Sequence, residues 1–329
     1  MALVLCLGGR AGAEEAGAPP LTAAQLEQLV APIALYPDSL LAQVLMAATY
    51  PSEVAEAAHW SQANPGVTGT ALEDAMQQEQ WDPNVEALTA LPQVLQMMND
   101  EIDWTQQLGD AFLGQQSAVL DAIQRLRARA EAAGTLETTP QQRLARVAVP
   151  PEVGSNAPAT TVYVIEPVTA DEYSVPIYDP NVVYGTWPHP DYQPFYWHPP
   201  DFVPTNAVSF AGGVSVGWAI WGLADWWQHR VNINVKRYNQ FNHAKITRNT
   251  WAHDPAHRRD VPYRDRNMAA RMSDKGKAAA RETSDAGTNA SRDRDEESKS
   301  SERASRSKHA ATNRSARSER RRHRRGRKR

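Results

Sequence analysis

The residue types best suited to chemistry are two groups of histidines in the second half of the chain. His253 and His257 form an H-x3-H pattern, which on a single helix places both imidazoles on one face, where they could hold a zinc-type ion. Pro255 lies between them, and Asp254-Pro255 is typical of a helix cap followed by the first helical position. His253 is therefore expected to lie outside the helix that carries His257. No glutamate follows His253 as in the H-E-x-x-H motif of metalloproteases.

The second group lies in an aromatic stretch and comprises His189, Asp191 and His198. Either group could serve a metal-dependent hydrolase, which is the alternative hypothesis, but the sequence favours histidines with structural roles in turns. A cysteine nucleophile is not expected, because the single cysteine, Cys6, lies in the first apolar stretch. The sequence thus favours a non-enzymatic protein with no catalytic residues and no cofactor.

Acidic side chains between positions 100 and 110 are a third candidate for ion binding. Asp100, Glu101, Asp103 and Asp110 could group carboxylates near the start of a helix. A hard cation needs six or more oxygen ligands and usually a glycine-turned loop, which this stretch lacks. Acidic residues also favour a helix N-terminus through the helix dipole. We therefore expect these residues to serve the helix rather than a metal ion.

The net charge of −3 conceals a strong asymmetry along the chain. Residues 1–229 carry 26 Asp and Glu against six Arg, a net charge of −20, whereas residues 230–329 carry 29 Lys and Arg against 12 acidic residues, a net charge of +17. Arginine clusters bind phosphates bidentately and attract polyanions. The candidate anion-binding residues are those of the basic C-terminus: Arg320, Arg321, Arg322, Arg324, Arg325, Arg327, Lys328 and Arg329. A merely solubilising extension is the alternative.

The first 13 residues resemble a secretory signal peptide. Met1 to Leu7 is apolar, and Ala11-Gly12-Ala13 gives a small-x-small cleavage pattern before Glu14. The apolar run is short and lacks a basic start, which is consistent with a start codon further upstream. We expect export to the periplasm or envelope, with cleavage after Ala13.

Residues 21–134 predict a helical body punctuated by prolines. Thr22 to Gln25 and Thr70 to Glu73 both read as capping boxes, and Asp82-Pro83 places a cap before a first-position proline. The longest helix is predicted from about Asp103 to Ala133. Its apolar face follows helical spacing and consists of Leu108, Phe112, Val119, Ile123, Leu126 and Ala130. We expect five or six helices in this body.

The chain changes character after the helical body. Residues 135–159 lose helical periodicity and gain Pro, Thr and Gly, which predicts a linker. Residues 160–266 predict a small β and irregular region, with strand character at 161–165 and 231–235. The aromatic residues from Tyr184 to Trp197 either stack on a sugar or peptide ligand or pack against the body, and packing is favoured.

Residues 207–224 raise the question of a membrane. They are uncharged and contain Gly213 and Gly217, a small-xxx-small spacing that packed membrane helices use. Eighteen residues only just reach the length of a span, and Ser, Gly and Ala dilute their hydrophobicity. A closely packed segment or hairpin is therefore favoured over a membrane segment. Residues 267–329 are too polar to bury a core, which predicts a disordered basic tail.

Four stretches resemble an uncharacterised bacterial envelope protein family, domain of unknown function 3300. They are APIALYPDSLLAQVL from Ala31, DWTQQLGDAFL from Asp103, YDPNVVYG from Tyr178 and WAHDPAHRR from Trp251, the last followed by Val261-Pro262-Tyr263. The resemblance covers residues 22–266. It implies an exported, envelope-associated protein and implies no catalytic residues. The weak signal peptide and the arginine-rich tail depart from the family pattern.

The sequence therefore predicts a mainly α protein with a multi-helix body, a small aromatic-rich β and irregular region and a disordered C-terminal tail. Our leading hypothesis is a non-enzymatic cell-envelope protein whose basic tail contacts an anionic envelope component or membrane surface. Self-association of the acidic body with the basic tail is a second way to satisfy the charges. Nucleic acid becomes the expected partner only if the chain stays in the cytoplasm.

Overall fold

The computed structural model describes residues 18–149, 160–199, 203, 206–211, 213–264 and 266–274. The signal peptide predicted at 1–13 and the tail from position 275 onward, including the arginine cluster at 320–329, lie outside these residues. Seven helices precede position 133: α1 (Ala23–Val30), α2 (Asp38–Ala47), α3 (Pro51–Ala63), α4 (Thr70–Met76), α5 (Pro83–Leu88), α6 (Pro92–Asp100) and α7 (Ile102–Ala132). The prediction of a helical body is confirmed, with more helices than the five or six expected.

Local signals in the sequence explain where most of these helices begin. The Thr22 hydroxyl accepts from the Gln25 backbone N–H and Gln25 bonds back to the Thr22 N–H, which confirms the capping box of α1. Asp82 caps α5 through the Asn84 N–H, with Pro83 at the first position. The second capping box was wrong, because Thr70 is already helical. The cap of α4 is Gly69, whose φ of +59° suits glycine.

The long helix α7 supplies one wall of the core. Its predicted apolar face is buried throughout, at positions 108, 112, 119, 123, 126 and 130. Gln115 departs from helical geometry (φ −140°, ψ 42°), and its side chain bonds both the N–H and the carbonyl of Leu21. Gly109 allows the closest approach of helices, since a Cβ there would lie 2.1 Å from the Ala48 carbonyl oxygen. The interior is thus packed helix against helix at van der Waals distance.

The predicted linker contains a strand. Strand β1 (Gln142–Val149) pairs antiparallel with β2 (Thr160–Pro167), with Leu144 opposite Ile165. Leu144 and Ile165 are both buried, so the hairpin packs on the helical body although its first strand is polar at alternate positions. A solvent-facing strand of this kind alternates apolar and polar residues, and the prediction of a linker overlooked that pattern at 142–149.

The rest of the strand-rich region consists of short two-stranded sheets and short helices. Their elements in chain order are β3 (Glu172–Tyr173), β4 (Pro176–Tyr178), α8 (Pro180–Val183), β5 (Val208–Phe210), β6 (Val214–Ser215), β7 (Gly222–Asp225), β8 (Arg230–Ile233), α9 (Val235–Phe241) and α10 (Pro255–Arg258). The pairs are β3–β6, β4–β5 and β7–β8, all antiparallel. The fold class predicted for this region, small and strand-rich, is confirmed.

The segment 207–224 holds strands and turns in its described residues. Gly222 touches α2 directly, because a Cβ there would lie 2.7 Å from the Ser39 carbonyl oxygen. The small residues of this segment therefore allow close packing inside the protein, in agreement with the closely packed segment that the sequence favoured. In the part of the chain that the structure describes, no helix has both the length and the apolar character needed to cross a bilayer.

The C-terminal part of the described chain belongs to the same core as the helices. Phe241, Trp221 and Arg258 are fully buried, and the described residues up to Met272 fall into one compact unit. Positions 266–274 are helical, and Met268 and Met272 are buried on one face of this segment. The predicted start of the disordered tail at 267 was therefore too early, because these two methionines lie four residues apart, the spacing of one helical face.

Candidate functional site

The histidines of the H-x3-H pattern sit at the start of α10, packed against α3. The Asp254 side chain caps α10 by accepting from the Ala256 N–H at 2.9 Å, and Pro255 occupies the first position. This confirms that His253 lies outside the helix that carries His257. The cap and the proline together turn the chain between His253 and His257, so the two side chains lie in different surroundings.

The ring of Tyr50 contacts both imidazoles, and each histidine has its own partners. Tyr50 stacks on His253 with ring centroids 5.0 Å apart and meets His257 edge-on at 5.9 Å. His253 bonds the Thr49 hydroxyl through Nδ1 and the Tyr263 hydroxyl through Nε2. His257 Nδ1 lies 3.0 Å from Glu53 Oε1. Across the described ranges, no three His, Cys, Asp or Glu side chains are grouped to hold a metal ion, so the hydrolase hypothesis finds no ligand set there.

His253 and His257 differ in pKa because their environments differ. Burial first, and the neighbouring Arg258 second, lower the pKa of His253 to about 4, so this imidazole is neutral at pH 7. The hydrogen bond to Glu53 outweighs burial and raises the pKa of His257 above its ordinary value. His257 is thereby suited to be the cation of the pair.

Three buried carboxyl groups surround His257, and sequence reasoning missed them. Glu53 accepts from the Asp82 N–H at 2.6 Å, and Glu53, Asp82 and Glu86 are each at most 6% exposed. Burial raises the pKa of Asp82 to about 6. Burial, followed by the charges of Asp82 and Glu53, raises the pKa of Glu86 to about 8. Burial is thus the main cause of the raised pKa of both Asp82 and Glu86.

Replacing Glu86 by glutamine is expected to flatten the pH dependence of stability. The folded-state pKa of Glu86 lies above its ordinary value of 4.5. The contribution of the protonated Glu86 carboxyl to the free energy of unfolding is therefore fully present below pH 4.5 and is lost as the pH rises through 8. Glu86→Gln should match the parent protein at pH 5 and exceed its free energy of unfolding at pH 8, by on the order of 3 kcal/mol. Urea titrations across this range measure the difference.

The control for this prediction is Asp74→Asn, because Asp74 is exposed on α4. Its curve should run parallel to that of the parent protein. Parallel curves for Glu86→Gln as well would show that Glu86 is already ionised in the folded protein at pH 5, which would contradict the prediction.

The residues of the second histidine group, His189, Asp191 and His198, do not form a common site in the structure. His189 Nε2 lies 2.9 Å from Glu27 Oε2, in a network that also includes Arg125 and Arg129. His198 bonds only the carbonyl of its neighbour Pro199 among the described residues, and Asp191 is exposed. The aromatic stretch around these residues packs against the helices: Phe195 stacks on Trp104 with ring centroids 5.8 Å apart. The favoured interpretation of packing therefore agrees with the geometry.

The four acidic residues at 100–110 are also separated. Asp100 binds side chains of Gln96 and Trp197, and Asp103 lies in the first turn of α7, where an acidic residue complements the helix dipole. Asp110 instead points into the core and pairs with Arg258 at 2.7 Å. No cation site is formed from these four described residues, and Asp110 has a long-range role that its position in the sequence does not reveal.

A second buried network lies beneath the strand-rich region. Asp38 Oδ1 accepts from the Arg127 guanidinium at 2.6 Å and from the Ile165 N–H at 3.2 Å, and its Oδ2 accepts from the Trp226 indole N–H at 2.6 Å. Arg127 is fully buried and also donates to the Ala34 carbonyl. Sequence reasoning missed this network, because arginines flank Leu126 at both 125 and 127 and local spacing does not show which of them is buried.

An open groove lies above this network. Its volume is about 600 Å³, within the range of small-ligand and peptide sites. Asp38, Trp221 and Trp226 form the floor, and Arg143, Leu223 and Trp227 lie at the rim. Sequence reasoning missed this groove, because its lining comes from β1, β2, β7 and the start of α2.

Comparison with known proteins identifies the family. The profile of the family described as "Protein of unknown function (DUF3300)" matches residues 22–259. The chain belongs to this family. A curated relative, uncharacterized protein YacH of Escherichia coli (strain K12), is 36% identical over 321 aligned residues, which cover 78% of this chain and 52% of that protein. The chain thus spans about half the length of this relative. No solved structure gives a significant match.

The DUF3300 match has a structural consequence. It extends from the cap of α1 to Arg259 and so includes the helical body, the groove and the acidic cluster at His257. The arginine cluster at 320–329 lies beyond the matched residues. The groove and the acidic cluster are therefore features of the DUF3300 region of this chain, and the basic tail is an addition to it.

Proposed function

We propose that this DUF3300 protein is an exported, non-enzymatic component of the bacterial cell envelope whose basic tail contacts an anionic surface or partner. The observation that carries the proposal is the division of charge, −20 over residues 1–229 against +17 over residues 230–329. Opposite net charges at the two ends of one chain favour two separate roles, a soluble acidic body and a basic attachment element.

Several arginines of the basic half are already used within the body, which leaves the tail as the attachment element. Arg258 pairs with Asp110, Arg259 with Glu53 and Glu56, and Arg237 with Asp171. The last ten residues, by contrast, carry seven arginines and one lysine without any acidic residue. Guanidinium groups bind phosphate oxygens bidentately, so lipid phosphates of an envelope are the expected partner class. Nucleic acid replaces them if the protein is not exported.

The non-enzymatic part of the proposal is supported by the geometry of the histidines. His253, His257 and His189 each bond a side chain of the body, and Tyr50 contacts both His253 and His257. A general base must reach a substrate proton within hydrogen-bond distance. These imidazoles are instead committed to holding segments of the chain together.

We expect the protein to sediment with envelope membranes at low salt and to be released as the salt concentration rises. At about 0.1 M salt the Debye length is about 10 Å, and at 1 M it is about 3 Å, so a peripheral contact made by exposed arginines is screened in that interval. Replacing the seven arginines of 320–329 by glutamine should abolish sedimentation. The measurement is fractionation of the native host with graded salt washes and mass spectrometry of the N-terminus.

The matched control replaces the same seven arginines by lysine, which keeps the charge and should keep salt-sensitive sedimentation. A glutamine variant that still sediments and is released at the same salt concentration would refute attachment through the tail. A soluble cytoplasmic protein that begins at Met1 would refute export and place nucleic acid first among the partners.

A further inference from the structure

An exposed tryptophan lies at the rim of the groove. Trp227 is 54% exposed, although the preceding Trp226 is buried and donates its indole N–H to Asp38. Within the described chain the Trp227 ring contacts no other aromatic ring, and its N–H has no hydrogen-bond acceptor. Leu223 and Val168, which also line the groove, are exposed as well. A concentration of exposed apolar side chains in one cavity marks an interaction site.

The wall formed by β1 and β2 offers one cation and one anion. Arg143 and Glu166 lie opposite each other in the antiparallel register, so their side chains lie on the same face of the hairpin. Both are exposed and both line the groove, yet neither forms an ion pair or a hydrogen bond with a residue that the structure describes. A guanidinium only donates hydrogen bonds and a carboxylate only accepts them. This wall therefore presents donors and acceptors side by side to a ligand.

Two further sets of polar groups in the lining have bonding capacity left. The hydroxyls of Ser39 and Tyr173 lie 2.7 Å apart, and only one of them can donate to the other. The second hydroxyl hydrogen finds no acceptor in the described part of the chain. Asn234 accepts from the Arg237 backbone N–H through Oδ1, and its Nδ2 has no hydrogen-bond acceptor among the described residues. The groove therefore combines apolar surface with donors and an acceptor that these residues do not use among themselves.

The charges of the lining cancel. The lining contains two arginines and two carboxylates, namely Arg143, Arg237, Asp38 and Glu166. Arg127 neutralises Asp38 and Asp171 pairs with Arg237, so Arg143 and Glu166 remain for a ligand. A charged ligand would meet one group of its own sign, whereas a hydroxyl both donates and accepts and can bond either group. The groove therefore favours a neutral ligand that is rich in hydroxyls.

We propose that the groove binds a neutral oligosaccharide, with one sugar ring stacked on the Trp227 indole. A sugar ring has an apolar face of C–H groups and a rim of hydroxyls. The apolar face packs on Trp227, while the hydroxyls bond Arg143, Glu166 and Asn234. A volume of about 600 Å³ exceeds that of one sugar ring and accommodates a short chain of them. This binding is independent of export and of the attachment proposed for the tail.

The test is isothermal titration of the full chain with three neutral hexasaccharides: cellohexaose, maltohexaose and chitohexaose. We expect at least one of them to bind with a dissociation constant below about 1 mM. Trp227→Ala and Glu166→Ala should each weaken binding about tenfold, because each removes a direct contact to the sugar. Trp227→Phe keeps an aromatic ring for stacking and should retain most of the affinity. Raising the salt concentration from about 0.1 M to about 1 M should leave binding unchanged, since a neutral ligand has no net charge to screen.

The control variants are Arg146→Ala and Trp197→Ala. Arg146 is an exposed arginine of β1 and Trp197 belongs to the aromatic stretch, and both lie outside the groove. Each variant should change the affinity by less than about twofold, because distant sites act independently. Absence of binding by all three sugars at about 5 mM, or binding that Trp227→Ala leaves unchanged, would overturn the proposal. Loss of binding in Trp197→Ala alone would place the sugar on the aromatic stretch and would overturn the groove as its site.

Discussion

Replacing Arg127 by methionine is expected to lower the free energy of unfolding by about 3–5 kcal/mol. Arg127 is fully buried, and its guanidinium serves Asp38, the carbonyls of Ala34, Tyr36 and Tyr163, and the ring of Trp226, 4.8 Å away. Methionine fills much of the same space but removes the cation that pairs with Asp38 and leaves the carbonyl oxygens of Ala34 and Tyr36 without their side-chain donor. Each buried polar group without a partner costs about 1–3 kcal/mol. Urea or guanidinium titration measures the loss.

The control for this prediction lies two residues away on the same helix. Arg125 is 42% exposed and pairs with Glu27, which keeps Arg129 and His189 as further partners. Arg125→Met should therefore cost less than about 1 kcal/mol. Arg127→Lys retains the charge but not the planar fork, and its stability should fall between those of the parent protein and Arg127→Met. Equal effects at 125 and 127 would contradict a special role for the buried network.

Replacing Asp110 by alanine is expected to lower the free energy of unfolding by about 3–5 kcal/mol, because the buried guanidinium of Arg258 loses its carboxylate partner. Arg258 is 1% exposed and donates to Asp110, to the Thr49 carbonyl and to the Pro262 carbonyl. The pair thereby fixes the C-terminal segment against α3 and α7. Burial raises the pKa of Asp110 and lowers that of Arg258, even though each partner opposes the change. Desolvation is thus a real cost of this contact.

A double-mutant cycle separates the value of the pair from the cost of breaking it. Asp110→Ala combined with Arg258→Met removes both charges. The loss in free energy of unfolding of the double variant should therefore be smaller than the summed losses of the two single variants, by about 1–3 kcal/mol. Additive losses within about 0.5 kcal/mol would contradict direct coupling of the two residues. Hydrogen exchange of residues 251–264 in Asp110→Ala should show whether this segment opens before the helical body unfolds.

The helical body was predictable because its signals are local. Thr22 and Gln25 are three residues apart, Asp82 caps a helix that starts at the next residue, and the apolar face of α7 repeats every three or four residues. Each such pattern is read within one or two helical turns. The strand β1 was missed for the opposite reason: its pairing with β2 across a ten-residue gap stabilises a sequence with weak strand character of its own.

The candidate sites were only partly predictable. The cap and proline before His257 were sufficient to conclude that His253 and His257 do not share a helix face, which the structure confirms. The carboxyl cluster of Glu53, Asp82 and Glu86 and the groove with Arg143 and Trp227 were not recognised, since their members come from different helices and strands. Titration behaviour could not be predicted either, because burial is the largest cause of the raised pKa values of Asp82 and Glu86.

The sequence by itself determined the helical body, the small strand-rich region, the family and the division of charge. Only the tertiary structure decided which charged residues are buried together. Arg127 pairs with Asp38 across 89 positions, and Arg258 pairs with Asp110 across 148. Nothing in local spacing encodes such pairs, because their partners meet only after the helices pack. A charge in a low-dielectric interior must find a partner wherever the fold places one.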